Sequence, residues 1–277
     1  MTEEPSIYVV GRRRRRIPPL RKGVYILPNL FTTAGLFAGF YSIIATVNHR
    51  YEIAAVMILA AQLCDALDGR IARLTHSTSS FGIQYDSLAD LIAFGVAPGI
   101  LVYDWALRGW GRWGFLAATL YVTCGALRLA RFNVQVASVE KRYFVGLPIP
   151  AAADVVAATV LLYYFVGGEG ATNKHFMMLF VVFLVAGLMV SEIRYYSFKE
   201  IRFHHRHPFP VLLGLILLIL LVMGEPQIML FLGISGYALS GPIALAARRF
   251  SRRRRPSEAV ETPAVRAVAL DKPGTHR

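Results

Sequence analysis

The chain has 277 residues, of which 55% are hydrophobic and 17% are charged, and its formal net charge is +13. Because soluble domains carry about a quarter charged residues, this composition excludes a disordered chain and disfavours a soluble globule. Most of the basic excess lies in residues 1–27 and 248–277, which flank apolar sequence. This arrangement suits an anionic lipid surface, so we expect anionic lipid at the termini and no nucleic-acid partner.

Eight apolar segments predict an all-α, polytopic bundle of transmembrane helices. Most of them approach the roughly 20 residues that cross a bilayer as a helix, and the seventh is short. The breaks between them combine glycine or proline with charged residues, as loops between helices do. The segments cover residues 27–47, 52–74, 84–106, 113–134, 148–167, 174–193, 209–223 and 227–247.

The distribution of Lys and Arg predicts the orientation of this bundle. If residues 12–16 lie in the cytoplasm, an even number of spans places the basic loops 135–147 and 194–208 and the basic tail 248–255 on the same side. The opposite loops carry few basic residues, as the positive-inside rule requires. We therefore expect both termini in the cytoplasm and the protein in the cell (inner or plasma) membrane, although six spans would give the same parity.

Four aspartates lie in the second and third apolar segments. Asp65 and Asp68 are three residues apart, and Asp86 and Asp90 are four apart, so each pair shares one helix face. An acidic residue at the centre of a membrane helix costs about 2.5–3.5 kcal/mol. The short loop 75–81 makes the two helices antiparallel neighbours. We expect all four carboxylates to converge near the cytoplasmic face.

Repulsion among four carboxylates requires cations nearby. Two divalent ions would cancel the four charges, and all-oxygen ligands favour Mg²⁺ or Mn²⁺. Paired ions of this kind suit in-line displacement at phosphorus. Arg73 can hold a phosphate on the same face, and the small residues Gly69, Ala72 and Gly82 allow a flat group to approach the backbone. The pattern predicts metal-dependent phosphoryl-type transfer at the membrane interface, with a nucleotide-like substrate.

Two other interpretations of the aspartates remain open at this point. In the first, Arg70 and Arg73 neutralise two of the acids in a structural network, which leaves the other two acids unpaired. In the second, the four carboxylates form the path of a divalent-cation transporter. The transporter gives no purpose to the glycine, alanine and arginine positions that accompany the aspartates.

The spacing of these residues resembles the signature of the CDP-alcohol phosphatidyltransferase family. The chain reads Asp65-x-x-Asp68-Gly69-x-x-Ala72-Arg73, then eight residues, then Gly82-x-x-x-Asp86-x-x-x-Asp90, and it matches the signature without a departure. The resemblance implies a CDP-linked lipid donor, attack by an alcohol on its β-phosphorus, and release of CMP.

The resemblance also implies roles for the signature residues. Asp65, Asp68 and Asp86 would be metal ligands, with two ions in each active site. Asp90 would be both a metal ligand and the general base. The CDP site would be lined by Gly69, Ala72, Arg73 and Gly82, with Asp65 beside them.

Four further segments resemble the phosphatidylserine synthase branch of this family, namely residues 28–32, 126–133, 144–151 and 191–199. The branch implies CDP-diacylglycerol and L-serine as substrates, and family analogy implies a homodimer. The same chemistry with inositol phosphate, glycerol phosphate or choline as the acceptor remains the nearest alternative.

Serine is a zwitterion, so its site needs a group that binds the carboxylate. Arg128 and Arg131 lie near the cytoplasmic end of the fourth segment with Asn133 close by, and an arginine fork binds both carboxylate oxygens. The same arginines would also serve lipid phosphate or the positive-inside rule. At the start of the first segment, Asn29 and Thr32 are candidate nucleotide contacts, and Asn29 is equally suited to start the helix.

These expectations divide the chain into four parts. Residues 1–26 form a basic cytoplasmic or interfacial segment, and residues 27–200 form the catalytic membrane domain. Residues 201–247 add two spans to its six, and residues 248–277 form a basic tail that we expect to be disordered.

Overall fold

The computed structural model describes residues 26–75, 79–135, 143–172, 176–196 and 223–253, together with Leu213 and Ile216. These residues form seven helices and one two-stranded antiparallel sheet, which confirms the predicted all-α architecture. The helices are α1 (Ile26–Val47), α2 (Tyr51–Leu74), α3 (Ser80–Trp110), α4 (Arg112–Gln135), α5 (Ile149–Phe165), α6 (Phe176–Val190) and α7 (Pro226–Arg253). The strands are β1 (Tyr143–Val145) and β2 (Arg194–Tyr196).

Within the described part of the chain, four helical stretches are long and apolar enough to cross a membrane. They are Leu27–Val47, Ser80–Trp110, Arg112–Val134 and Pro226–Ala247. Helices α5 and α6 are apolar but shorter, and α2 carries charged residues along its second half. Seven of the eight predicted segments therefore correspond to helices. The predicted segment 209–223 lies almost entirely outside the described residues, so the count of eight spans stays a prediction.

The described helices differ from the predicted segments mainly at their ends. α3 begins at Ser80, where the Ser79 hydroxyl accepts a hydrogen bond of 2.9 Å from the Gly82 N–H and caps the helix. α7 continues to Arg253, past the predicted boundary at residue 247. Basic residues at a helix C-terminus favour such an extension because they complement the helix dipole. Residues 1–25 and 254–277 lie outside the described part.

Small residues allow α1, α2 and α3 to pack closely. Ala54 and Ala61 on α2 are fully buried, and the Ser42 hydroxyl of α1 donates to the Ala54 carbonyl at 2.8 Å. A Cβ atom on Gly39 would lie 2.6 Å from the Cα atom of Ala93, so α1 and α3 cross with almost no side chain between them. Close approach through small residues is the usual packing of membrane helices, where lipid removes the hydrophobic drive.

α3 contains two wide, π-type stretches, Leu91–Val96 and Tyr103–Leu107. The first has a local cause, because Pro98 has no N–H to donate to the carbonyl of Phe94. The buried Tyr121 hydroxyl of α4 donates to that carbonyl instead, at 3.0 Å. The wide turn begins directly after Asp90, and such turns are frequent at functional sites.

Candidate active site

Three aspartates from α2 and α3 meet at one point. Asp65, Asp68 and Asp86 each present a carboxylate oxygen, and these oxygens lie within 4.8 Å of one another. Asp68 is buried, and the other two are partly buried. The same three residues line a small cavity together with Asp90, Thr32 and other residues of α1, α2 and α3. The convergence expected from helix spacing is therefore present in the structure.

Asp90 lies in this cavity but outside the closest group of three oxygens. Its charged neighbours are the three other aspartates and Arg128 of α4. Because Asp86 and Asp90 are four residues apart on α3, one helix face presents both carboxylates. The π-type stretch that follows Asp90 continues the cavity wall with Ala93 and Phe94, and the Phe94 carbonyl accepts the hydrogen bond from Tyr121.

The aspartates receive little compensation from the protein. In the described part of the chain, no Lys or Arg forms an ion pair with any of the four. One hydroxyl helps, since Thr32 Oγ1 donates to Asp68 Oδ2 at 2.8 Å. Arg73 forms a hydrogen bond within its own helix, since its Nε donates to the Gly69 carbonyl at 2.7 Å. The structural carboxylate–arginine network considered above is therefore absent from the described residues.

The chemistry of the cluster fits a hard divalent cation. Its donors are carboxylate oxygens, with the Thr32 hydroxyl next to them, and such donors suit Mg²⁺, Mn²⁺ or Ca²⁺ better than Zn²⁺. Mutually close carboxylates that form no ion pairs are costly in a membrane helix bundle. A bound cation would remove that cost.

The residues expected at the nucleotide lie at the end of the bundle where α1 begins, α2 ends and α3 begins. A Cβ atom on Gly82 would lie 3.2 Å from Ser79 Oγ and 3.4 Å from Asn29 Oδ1, so Gly82 and Asn29 are neighbours. Gly69 and Ala72 are partly buried, and Arg73 is exposed. The structure thus brings Asn29 and Thr32 of α1 to the same end of the bundle as the signature residues.

The three residues expected at the acceptor separate from one another. Arg128 is close to Asp90, and its Nε is buried without a hydrogen-bond partner among the described residues. Arg131 Nη2 instead lies 3.9 Å from Glu192 Oε1. Asn133 joins α4 to α3, because its Nδ2 donates to Ser87 Oγ at 3.0 Å. Of the three, only Arg128 is directed to the aspartate cluster.

The sequence analysis did not identify two polar side chains that the structure places inside the bundle. Asp154 on α5 is only 6% exposed and shares a hydrogen bond with Gln62 of α2. The cost of an acid in an apolar segment, the argument that identified the other aspartates, would also have found it. Tyr85 on α3 is the second, and its hydroxyl lies 2.9 Å from Thr33 Oγ1. No spacing rule would have paired those two.

The structure thus combines a bundle of apolar helices, several of them long enough to cross a membrane, with an aspartate cluster between its second and third helices that could hold a metal ion. The model of one family, CDP-alcohol phosphatidyltransferase, matches residues 25–185. The chain belongs to the CDP-alcohol phosphatidyltransferase family, which confirms the resemblance found in its sequence.

Curated relatives extend this similarity. A Helicobacter pylori (strain ATCC 700392 / 26695) protein named CDP-diacylglycerol–serine O-phosphatidyltransferase is 45% identical over 184 residues, covering 65% of this chain and 76% of the relative. A Mycobacterium tuberculosis (strain H37Rv) protein of the same name is 31% identical over 241 residues, covering 84% and 83%. An archaetidylserine synthase of Methanothermobacter thermautotrophicus is 37% identical over 171 residues, covering 61% and 69%.

Proposed function

We propose that this protein transfers the phosphatidyl group of CDP-diacylglycerol to the hydroxyl of L-serine, giving phosphatidylserine and CMP. The observation that carries the proposal is the aspartate cluster, whose four members stand in the family signature. The names of the relatives support serine as the acceptor. The bacterial and archaeal names differ in the lipid and share the serine.

The aspartate cluster is the proposed metal site. Asp65, Asp68, Asp86 and Asp90 would hold Mg²⁺ or Mn²⁺, two ions to a site, because none of the four forms an ion pair with Lys or Arg in the described part of the protein. When bound, such ions neutralise the pyrophosphate of the donor and stabilise the attacking and leaving oxygens of an in-line displacement.

Asp90 is the proposed general base. Its position outside the closest three carboxylates supports a role that leaves one of its oxygens free for a proton. Asp90 takes the proton of the serine hydroxyl, and the serine oxygen forms a bond to the β-phosphorus. The bond between that phosphorus and the bridging oxygen breaks, and CMP leaves. Transfer is direct, because no Ser, Cys or His is among the described residues that line the cavity.

The remaining site residues divide into a donor end and an acceptor end. At the donor end, the CDP group would contact the neighbouring pair Asn29 and Gly82, with Thr32 holding Asp68. The other proposed donor contacts are Asp65, Gly69, Ala72 and Arg73. At the acceptor end, Arg128 would bind the serine carboxylate, since its buried Nε has no hydrogen-bond partner among the described residues. The nearby Arg131 and Asn133 would support that end of α4 through Glu192 and Ser87.

The membrane arrangement follows from the same proposal. We place eight spans in the cell (inner or plasma) membrane with both termini and the active site at the cytoplasmic face, and the basic termini on anionic lipid. Residues 27–200 would form the catalytic domain, and the protein would be a homodimer by family analogy.

The direct test measures CMP release by the detergent-purified protein with CDP-diacylglycerol and Mn²⁺ or Mg²⁺. L-serine, glycerol 3-phosphate, inositol phosphate and choline are compared as acceptors, each with and without a chelator. We expect release with serine that chelation abolishes. Release with another of the alcohols would keep the metal site and refute serine as the acceptor. Ion flux in liposomes without any CMP release would support transport instead.

A further inference from the structure

We infer that α7 completes the acceptor end of the active site, and that Tyr237 positions Arg128 for the carboxylate of the acceptor. α7 begins at Pro226, whereas the match to the family model ends at residue 185. Nothing in the family signature therefore assigns a role to this helix. The inference rests on the proposed function and specifies how that site selects an acceptor that carries a carboxylate.

The surroundings of Arg128 are the first observation. Its electrostatic neighbours are Asp90 on α3 and Tyr237 on α7, and Tyr237 in turn has Arg128 as a neighbour. The Arg128 Nε is buried and has no hydrogen-bond partner among the described residues. A guanidinium carries five N–H donors, so a buried one with an unused donor needs an acceptor, and a carboxylate or phosphate is its strongest partner. Because Asp90 is the proposed general base, the remaining candidate partner for this Arg128 donor is the anionic group of a substrate.

The attachment of α7 is the second observation, and it does not depend on Arg128. Tyr195 in β2 is fully buried, and its hydroxyl donates to the Ala238 carbonyl of α7 at 3.1 Å. Burial raises the pKa of Tyr195 to about 12, so this donor stays protonated at neutral pH. A Cβ atom on Gly241 would lie 2.5 Å from the Tyr195 ring, so α7 rests directly on that ring.

This attachment fixes the residue next to Ala238, which is Tyr237. The rings of Tyr195 and Tyr237 are 5.7 Å apart between centroids. β2 pairs with β1, with Phe144 opposite Tyr195. Both strands belong to segments that resemble the serine-specific branch, residues 144–151 and 191–199. Those segments therefore have a structural purpose, which is to hold α7 and Tyr237 against the acceptor end.

A comparison of L-serine with ethanolamine as acceptors distinguishes this positioning role of Tyr237 from a merely structural one. Both molecules offer a hydroxyl and an ammonium group, but only serine has a carboxylate. A site that leaves a buried polar group unpaired discriminates strongly against the analogue that lacks the partner. The wild-type protein should therefore prefer serine, and a displaced Arg128 should weaken that preference.

The experiment compares Tyr237→Phe with Gly236→Ala, a control on the same helix whose added Cβ would meet no atom within 4 Å. For Tyr237→Phe we expect KM for L-serine to rise about tenfold, with kcat within about twofold, because Arg128 loses the polar neighbour that positions its guanidinium. The preference for serine over ethanolamine should fall by about the same factor. Affinity for CDP-diacylglycerol, measured without an acceptor, should not change. Gly236→Ala should match the wild type throughout.

A second variant, Gly241→Ala, forces Tyr195 and α7 apart and should raise KM for serine as well. The inference is overturned by an unchanged KM for serine in Tyr237→Phe, or by equal losses with serine and ethanolamine. Weaker binding of CDP-diacylglycerol would overturn it too, because the anion at Arg128 would then be the donor phosphate. If the wild-type protein transfers nothing to serine, the proposed function itself is wrong. That outcome is seen in the wild type alone, so it is distinguished from a failure of the inference, which is seen only in the variants.

Discussion

Two polar clusters, one around the single carboxylate of Asp104 and one formed by four aspartates, lie toward the two ends of α3, and they differ in how their negative charge is balanced. At the far end Asp104 accepts hydrogen bonds from Tyr51 at 2.9 Å and from Arg108 at 3.0 Å, with His49 Nδ1 at 3.2 Å. At the near end Asp68 accepts hydrogen bonds from the Thr32 hydroxyl and the Gly69 N–H, and no Lys or Arg of the described residues forms an ion pair with any of the four aspartates. Groups of the protein balance the negative charge of the first cluster, and they do not balance that of the second.

This difference indicates which cluster is functional. A carboxylate with a tyrosine, an arginine and a histidine around it ties α3 to the turn between α1 and α2, where His49 adopts a positive φ of 56°. Such a group stabilises the fold, and its charge is balanced without a ligand. Carboxylates gathered without cations cost free energy in the protein alone. A bound cation would offset this cost, so the arrangement indicates a cation site.

The largest expected effect comes from Asp86→Asn. The change removes one charge and one ligand oxygen from the group of three, so CMP release should fall below detection. The melting temperature without metal should stay the same or rise, because one of the mutually repelling charges is gone. Added Mn²⁺ should raise the melting temperature of the wild-type protein, as any ligand specific for the folded state does. It should not raise that of the variant.

The assignment of the metal site depends on the pairing of these two results. Substantial CMP release by Asp86→Asn would refute the assignment. A variant that loses activity because it unfolds would be seen at once in the melting curve and would count against the predicted stability. Asp65→Asn is a second variant at the same three-oxygen group and should behave alike.

A smaller effect is expected from Thr32→Val. Valine keeps the shape of threonine but removes the one hydroxyl that donates to the cluster, at Asp68 Oδ2. Asp68 would keep its place and lose its fixed orientation, so kcat/KM should fall about tenfold, as it does when a group orienting a metal ligand is removed. The measurement is a Mn²⁺ titration of CMP release, in which the half-saturating concentration should rise. Thr46→Val is the control, because the Thr46 hydroxyl donates to the Ser42 carbonyl of its own helix.

Much of the active site could be predicted because helix periodicity dictates it. Asp65, Asp68, Asp86 and Asp90 had to share two facing stripes once the segments were helical and joined by a short loop. The π-type stretch after Asp90 could not be predicted in this way. It depends on Tyr121, from another helix, satisfying the carbonyl that Pro98 leaves free.

The acceptor end shows the same limit more clearly. Arg128 and Arg131 are equivalent in the sequence, one helical turn apart, but their partners are Asp90 in one case and Glu192 in the other. Their roles are decided by which helix lies opposite. Tyr237 is 147 residues beyond Asp90, and the packing of α7 on α5 and on Tyr195 brings it near Arg128. Tertiary contacts of this kind have no periodic signal in the sequence.

The smallest expected effect on activity comes from Asp104→Asn, the same chemical change as Asp86→Asn made at the balanced cluster. Asparagine keeps one acceptor oxygen but loses the charge that strengthens the hydrogen bonds from Tyr51 and Arg108. Tyr51 is 3% exposed, so its hydroxyl has little access to water as a substitute partner. We expect the free energy of unfolding to fall by about 1–2 kcal/mol, with kcat and KM unchanged within error.

The two substitutions should therefore move activity and stability in opposite combinations: Asp86→Asn loses activity without losing stability, and Asp104→Asn loses stability without losing activity. A measurable fall in CMP release by folded Asp104→Asn protein would mean that the far cluster is coupled to the reaction, and the distinction between the two ends of α3 would be wrong.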